Sequence, residues 1–409
     1  MRLLVAALLL LPAALGTARA QEVAPDSART EGFVQEAIYA RPYIGRLGST
    51  AVGGYAEANT NYFVEDGITE GFSLEMRRFN LFVFSAISER ITLTSELEFE
   101  HGAEEIALET ALIDFTIAPE LVLRGGILLP PIGAFNQNHD SPLWEFVDRP
   151  LVSTEIIPST LSEVGVGAHG QLFPSPQLGV SYDVYLTNGL SDGIVLNEQG
   201  RTSIPAGRSE KAFAEDNNGT PALSARIAAK YHALGEVGLS YYGGAYNRFR
   251  IEGDEVDEAR RVDLLALDLK ASLLGVDVRG EAAAAWIDVP ESLNDEFGGR
   301  QWGAHLDVIA PVWQFQLLGY EAARLNATLR LEAVDYNQST FSARTVGEGN
   351  PAVGDKIYDE LVAVVPGFSF RPNDDTVFKL NYRRQWHRDL LGNPAAVSAG
   401  IQVGFATYF

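Results

Sequence analysis

The sequence predicts an all-β protein, a transmembrane antiparallel β-barrel of about sixteen strands with a long third extracellular loop folded into the lumen. Three observations predict it. The chain opens with an export signal. No later apolar run is long enough to form a membrane-spanning helix. The remainder breaks into short alternating strands whose connections fall into two length classes.

At the N-terminus, Arg2 precedes the apolar run Leu3–Leu11, and Thr17-Ala18-Arg19-Ala20 supplies a small-residue cleavage pattern before Gln21. Residues 1–20 therefore read as a signal peptide, too short and wrongly flanked for a membrane anchor. A spanning helix needs about 20 apolar residues, and no later segment supplies them. Residues 21–46 form a polar lead-in, lying in the periplasm or leading into the barrel, with a short helical piece near 33–40. Residues 47–409 are expected to form the barrel, in the outer membrane of a Gram-negative cell.

Composition agrees. Hydrophobic residues make up 46% and mean hydropathy is −0.01, as expected when lipid-facing and lumen-facing residues alternate. Cysteine is absent, so an exported chain must hold itself by backbone pairing, the one way to satisfy N–H and C=O groups in lipid. The formal charge of −23 excludes nucleic acid as a partner, because phosphate binding is driven by cationic surfaces.

Period-two patterning places strands at 47–59, 73–88, 90–101, 106–118, 120–129, 164–173, 177–187, 222–232, 236–249, 261–274, 276–288, 301–313, 322–336, 357–371, 375–387 and 397–409. Sixteen is even, as a single-chain barrel with both termini on one side requires. One class of connections is tight, as at Ser88-Glu89-Arg90, Pro119-Glu120, Pro174-Ser175-Pro176, Leu274-Gly275 and Arg371–Asp374. The other is long and polar: 60–72, 130–163, 188–221, 250–260, 289–300, 337–356 and 388–396. Short periplasmic turns facing long extracellular loops characterise outer-membrane barrels. Two connections fit poorly: 101–106 is short where a long loop belongs, and the turn near 314–321 is hard to place. The chain ends on a strand, 401–409, with Ile401, Val403, Phe405 and Phe409 on one face.

Alternation also assigns faces. In 90–101, Ile91, Leu93, Leu97 and Phe99 oppose Thr92, Thr94, Glu96, Glu98 and Glu100. Leu223, Ile227 and Tyr231 oppose Ser224, Arg226 and Lys230. A cation on the lipid face costs about 2–4 kcal/mol at the midplane, so Glu96, Glu98, Arg124, Arg226, Lys270, Arg324, Arg330, Lys379 and Arg383 are expected on the pore wall. That many inward charges imply a hydrated interior. Acids on 90–101 facing bases on 322–336 and 375–387 across the pore would set up a transverse field.

Within this pattern, Arg77-Arg78-Phe79-Asn80-Leu81, Leu112-Ile113-Asp114-Phe115, Leu123-Arg124-Gly125-Gly126 running into Pro130-Pro131-Ile132-Gly133, Asp148-Arg149-Pro150, and Tyr185-Leu186-Thr187-Asn188-Gly189 carry a resemblance. Over roughly 77–189 the chain resembles the phosphate-selective porin O/P family and related trimeric outer-membrane porins. The resemblance implies a sixteen-stranded homotrimer with its third loop inside the barrel. Members selective for phosphate line their pores with many Arg and Lys. Here 129–163 carries Arg149 alone against Asp140, Glu145, Asp148, Glu155 and Glu163, so fold and pore class carry over and the solute does not.

The segment 129–163 (constriction loop 130–163) is the third long loop by strand order. Pro130, Pro131, Pro142, Pro150 and Pro158 forbid a central strand, and an irregular stretch of this length is usually functional. Asn136, Asn138, His139, Asp140, Glu145, Asp148 and Arg149 are expected nearest the narrowest point, an acidic, amide-bearing constriction.

The expected function is passive diffusion of small hydrophilic solutes or ions through a water-filled channel. The alternatives are an anion-selective channel using Arg124, Arg149, Arg330 and Arg383, or a barrel serving as anchor or adhesin. Expected partners are outer-membrane lipid, lipopolysaccharide, two further copies of the chain and the solutes. No cofactor or metal is expected, since the six histidines have no ligand spacing. Enzymatic activity is not expected either. Gly189-Leu190-Ser191-Asp192-Gly193 matches a nucleophile elbow but lies in a polar loop of an all-β chain. The acidic run over 252–258 lacks Ca²⁺-loop order and reads as a solvated loop.

Overall fold

Sixteen strands close on themselves. The computed structural model describes residues 32–409 apart from 44, 70, 210–212, 232–233, 344 and 346–350, so the expected signal peptide and residues 21–31 lie outside the described residues. The strands are β1 (Thr50–Glu65), β2 (Phe72–Ala86), β3 (Ile91–Glu100), β4 (Glu105–Ala118), β5 (Leu121–Leu128), β6 (Glu163–Ser175), β7 (Leu178–Thr187) and β8 (Ala222–Tyr231). They continue with β9 (Gly235–Ala245), β10 (Arg261–Leu273), β11 (Val276–Ile287), β12 (Arg300–Leu317), β13 (Tyr320–Asp335), β14 (Glu360–Arg371), β15 (Thr376–Arg388) and β16 (Ala396–Tyr408). Each pairs antiparallel with its sequence neighbours, and β16 pairs with β1 from Ser398↔Glu65 to Tyr408↔Tyr55, which leaves no free edge.

The two classes of connection separate cleanly. Those after the even strands span two to four residues, whereas those after the odd strands span four to thirty-four. The turn near 314–321 is Leu318-Gly319, with φ of 50° and 92°, and Leu274-Gly275 has φ of 54° and 79°. Positive φ at both central residues is the type I′ geometry that matches strand twist. The connection after β3 stays short because His101, Gly102 and Ala103 all take positive φ.

Alternation sorts the faces as expected. Leu223, Ile227, Leu265, Leu267, Leu380 and Tyr382 lie on the exposed outer wall, and Ser224, Arg226, Asp268, Lys379, Asn381 and Arg383 are buried inside. Many of the interior charges are paired. Arg226 donates to Asp268 at 3.0 and 2.6 Å and to Glu236 at 3.0 Å, and Arg330 makes a two-point bond to Asp307 at 2.7 Å each.

Three segments lie against the inner wall. Residues 129–162 and 188–207 fold against the inner face of β8–β13, where Ile132, Val152, Ile156, Leu190, Ile194 and Ile204 form an apolar cluster with Tyr242, Leu264, Ala283 and Val334. The third is Phe33–Tyr43. Its side chains and backbone bond to inward-facing side chains of the wall, as detailed below. Its turn at Val34–Glu36 is closed by Glu36, which accepts from the Phe33 N–H at 2.8 Å.

Leu267→Arg, at the middle of the outer face of β10, is expected to destabilise the refolded barrel by about 2–4 kcal/mol in lipid vesicles, read from urea midpoints. Leu318→Arg, at a turn tip, is expected to cost only about 0–1 kcal/mol.

Candidate functional site

The irregular segment 129–162 can sit at membrane depth only if its backbone groups find partners other than water. The inner wall supplies them. Glu281 on β11 accepts from the N–H groups of Ala134 (2.7 Å) and Phe135 (3.1 Å) and from the Ser153 hydroxyl (2.7 Å). Ser240 on β9 accepts from the Gly133 N–H at 2.8 Å. Glu332 on β13 accepts from Leu151, and Asn381 on β15 from Val147, each at 2.8 Å. Carbonyls are covered in the same way. Arg279 donates to Leu143, Arg371 to Pro142, Lys379 to Ser141 and Arg330 to Asp148, at 2.7–3.0 Å. Asn136 closes the base of the loop, donating to the carbonyls of Pro130 (2.8 Å) and Leu161 (3.1 Å) and accepting from the Leu161 N–H (2.7 Å).

The loop's acids are held by cations, so its formal acidity is largely neutralised on the spot. Asp140 takes a two-point bond from Arg41 (2.9 and 2.7 Å) and one from the Tyr408 hydroxyl (2.9 Å). Glu145 accepts from Arg371 at 2.7 Å. Burial disfavours its charge, but Arg371 outweighs this and holds the carboxyl below its ordinary range. Asp148 meets Arg77 at 3.2 Å and Gln402. His139 Nε2 lies 3.2 Å from the Glu109 carboxylate. Burial opposes a charged imidazole, yet Glu109 prevails and its pKa is raised to about 9. Asn138 offers its carbonyl to the Trp144 indole at 3.1 Å.

Arg149 differs. It donates to the Thr160 hydroxyl at 3.1 Å and lies 5.8 Å from the Phe135 ring centre. Among the described residues it has no carboxylate within ion-pair distance, and one guanidinium nitrogen is buried without a partner. It faces a cavity of about 540 Å³ whose charged lining is Arg77, Arg78, Arg149, Arg383, Glu65 and Asp148. Arg78 spans Glu57 (3.1 Å), Glu98 (3.1 Å) and Glu100 (2.6 Å), and Arg383 meets Glu332 at 2.9 Å.

Of the residues expected at the constriction, Asp148 and Arg149 line this cavity, while Asn136, His139, Asp140 and Glu145 are buried in the seat of the loop. Of the expected wall residues, Arg383 alone lines it. Glu96 and Glu98 are bound by Arg41 and Arg78. Arg124 is engaged by Asp114 (2.7 Å), Tyr185 (3.0 Å) and Tyr39. Lys270 sits in register between Glu236 and Arg279, and Arg324 pairs with Asp374 at 2.9 Å near a short turn. Acids on β3 and bases on β13 and β15 thus pair with near neighbours rather than opposing one another across open space. Glu96, His139 and Asp140 stand close enough to share a cation, but Arg41 Nη2 already bridges the two carboxylates at 2.6 and 2.7 Å.

Arg77 is the cavity residue that alternation could not have found. Consecutive residues normally face opposite ways. Here Arg78 pairs with Glu57 and Met76 with Ala58, so Arg77 is the extra residue of a β-bulge, and both arginines reach the interior. Ser191, from the nucleophile-like motif, donates its hydroxyl to the Gly207 carbonyl at 2.9 Å within the 188–221 loop. The acidic 252–258 run carries a small exposed hairpin, and its acids meet Arg250 and Arg260 of the same loop.

No family model matches the chain. An uncharacterized protein of Aquifex aeolicus (strain VF5) is 28% identical over 358 residues, covering 84% of this chain and 77% of that protein. Among solved structures, the anion-selective porin from Comamonas acidovorans superposes with a TM-score of 0.52 at 12% identity, covering 88% of this chain and 99% of that one. OmpF of Salmonella typhi, in complex with daunomycin, gives 0.51 at 10% identity over 88% and 98%. OmpT of Vibrio cholerae gives 0.51 at 9% over 90% and 99%. The fold is therefore that of the outer-membrane porin barrels.

Proposed function

We propose that this chain is an outer-membrane channel for passive diffusion of small hydrophilic solutes, with a preference for anions. The observation that carries the proposal is the cavity beside the third loop, where four arginines meet two carboxylates inside a closed barrel of polar interior. A sealed anchor would gain nothing from leaving Arg149 without a counter-ion next to open space, because a buried unpaired charge is costly. A channel gains from it, since a mobile anion can supply the missing partner for as long as it passes.

The preference for anions rests on which arginines are free. Arg124 and Arg330 are saturated by protein partners and act as struts. Arg149 is the group left to meet solute, supported by Arg77, Arg78 and Arg383. The sequence resemblance adds a homotrimer seated in outer-membrane lipid and lipopolysaccharide. Phosphate is one anion among those this charge would favour, with no geometry here that singles it out.

Stepwise single-channel conductance in planar bilayers tests the channel reading, and a fully folded barrel without conductance steps would point to the anchor. Arg149→Gln is expected to lower the anion-to-cation permeability ratio roughly fivefold, corresponding to about 1 kcal/mol for one screened charge contact. Arg330→Gln is expected to leave that ratio nearly unchanged and to destabilise the barrel by about 3–5 kcal/mol, because Asp307 loses its buried partner. Liposomes carrying the protein should swell in small sugars at rates that fall with sugar size, whereas size-independent or absent swelling would contradict a diffusion pore.

A further inference from the structure

Phe33–Tyr43 touches every strand from β3 to β9. The Val34 N–H donates to Glu236 on β9 at 3.0 Å. The Phe33 ring lies 5.6 Å from the Lys230 ammonium on β8. Gln35 donates to Asp183 (2.9 Å) and to the Tyr182 carbonyl (2.8 Å) on β7, and accepts from Gln171 on β6 at 3.5 Å. The Tyr39 hydroxyl sits between Arg124 on β5 and Asp114 on β4. Arg41 reaches Glu96 on β3 at 2.6 Å, with its guanidinium 3.9 Å from the Phe82 ring centre on β2. Phe33, Val34, Gln35, Ile38 and Arg41 are all buried. Glu236 and Lys230 lie one residue from the short-turn ends of their strands, so this strap crosses the end of the lumen opposite the long loops.

The third loop takes mainly the other arc, bonding to β9, β11, β13, β14, β15, β16 and β2, and reaches β4 at Glu109 through His139 and Ser162. Among the described residues the hydrogen bonds joining the two segments are the two-point bond from Arg41 to Asp140, and Ile38 of the strap shares an apolar cluster with Leu129 of the loop.

We propose that Phe33–Tyr43 is an internal plug of the channel, and that Arg41 is the positioning residue that latches it to the third loop. This rests on the channel reading above. Eleven residues seated by polar contacts on seven adjacent strands remove that arc of the lumen from the conducting path and leave it to the β1, β2, β15 and β16 side, where the arginine-lined cavity lies. Most of the anchors are side-chain hydrogen bonds rather than sheet ladder. The plug can therefore leave without unzipping the barrel, and the latch holds plug and loop in a single arrangement.

The test replaces Phe33–Tyr43 with a Gly/Ser linker of the same length in the full chain and records single channels beside the wild type. The expected result is at least a doubled unit conductance with a weaker anion preference, since the added path avoids Arg149. Arg41→Gln keeps the segment and removes only the latch. It is expected to flicker between the wild-type level and a larger one, and Arg41→Lys to restore part of the quiet state. A linker variant that folds, or an Arg41→Gln variant, with conductance and noise equal to a conducting wild type overturns the plug and leaves the channel reading intact. Conductance in the linker variant from an otherwise silent wild type supports the plug. Silence in all variants, each folded, overturns both readings.

Discussion

Inside a membrane every backbone N–H and C=O must find a partner within the protein, and this requirement organises the whole molecule. The sixteen strands meet it by closing, with β16 against β1. The irregular segments inside the ring cannot meet it by themselves. Prolines remove N–H groups from the third loop, and no ladder is offered to it. The wall meets the need instead with side chains: Glu281, Glu332 and Asn381 accept from the loop, and Arg279, Arg330, Arg371 and Lys379 donate to it. Polar residues inside the barrel are thus as much scaffolding for the loop as a lining for water.

That division of labour explains the electrostatics. A chain with a formal charge of −23 would be expected to present an acidic pore. Many of its lumenal carboxylates are instead bound to arginines that hold the inner segments in place, as at Asp140–Arg41, Glu145–Arg371 and Asp307–Arg330. Part of the remaining acid sits in exposed loops such as 252–258. What is left facing open space beside the third loop is mainly guanidinium, and Arg149 is the one without a carboxylate.

The barrel was legible because alternation is a local property. Strand number, the two classes of connection and the inward faces of β3, β8, β13 and β15 all followed from period two and turn residues. The segment 129–162 stood out as irregular through its prolines and its place in the count. Its partners were not, because they come from far along the chain: Glu145 and Arg371 are 226 residues apart, and nothing local distinguishes an arginine that will be paired from one that will not. Arg77 escaped because a single bulged residue turns it inward against the alternation. The strap escaped because a short segment without periodicity reads as a linker until Arg41, Tyr39 and Gln35 are seen to fit the wall. Arg149 was picked out as the one arginine of an acidic loop, and the acids around it proved to be occupied.

The central claim is that the open path is set by arginine despite the acidic chain. The zero-current potential of the wild-type protein in a planar bilayer under a salt gradient tests it most directly. The account predicts a potential whose sign marks chloride as the more permeant ion, shrinking as salt screens the guanidinium groups. A potential of the opposite sign, marking potassium as more permeant, would contradict it.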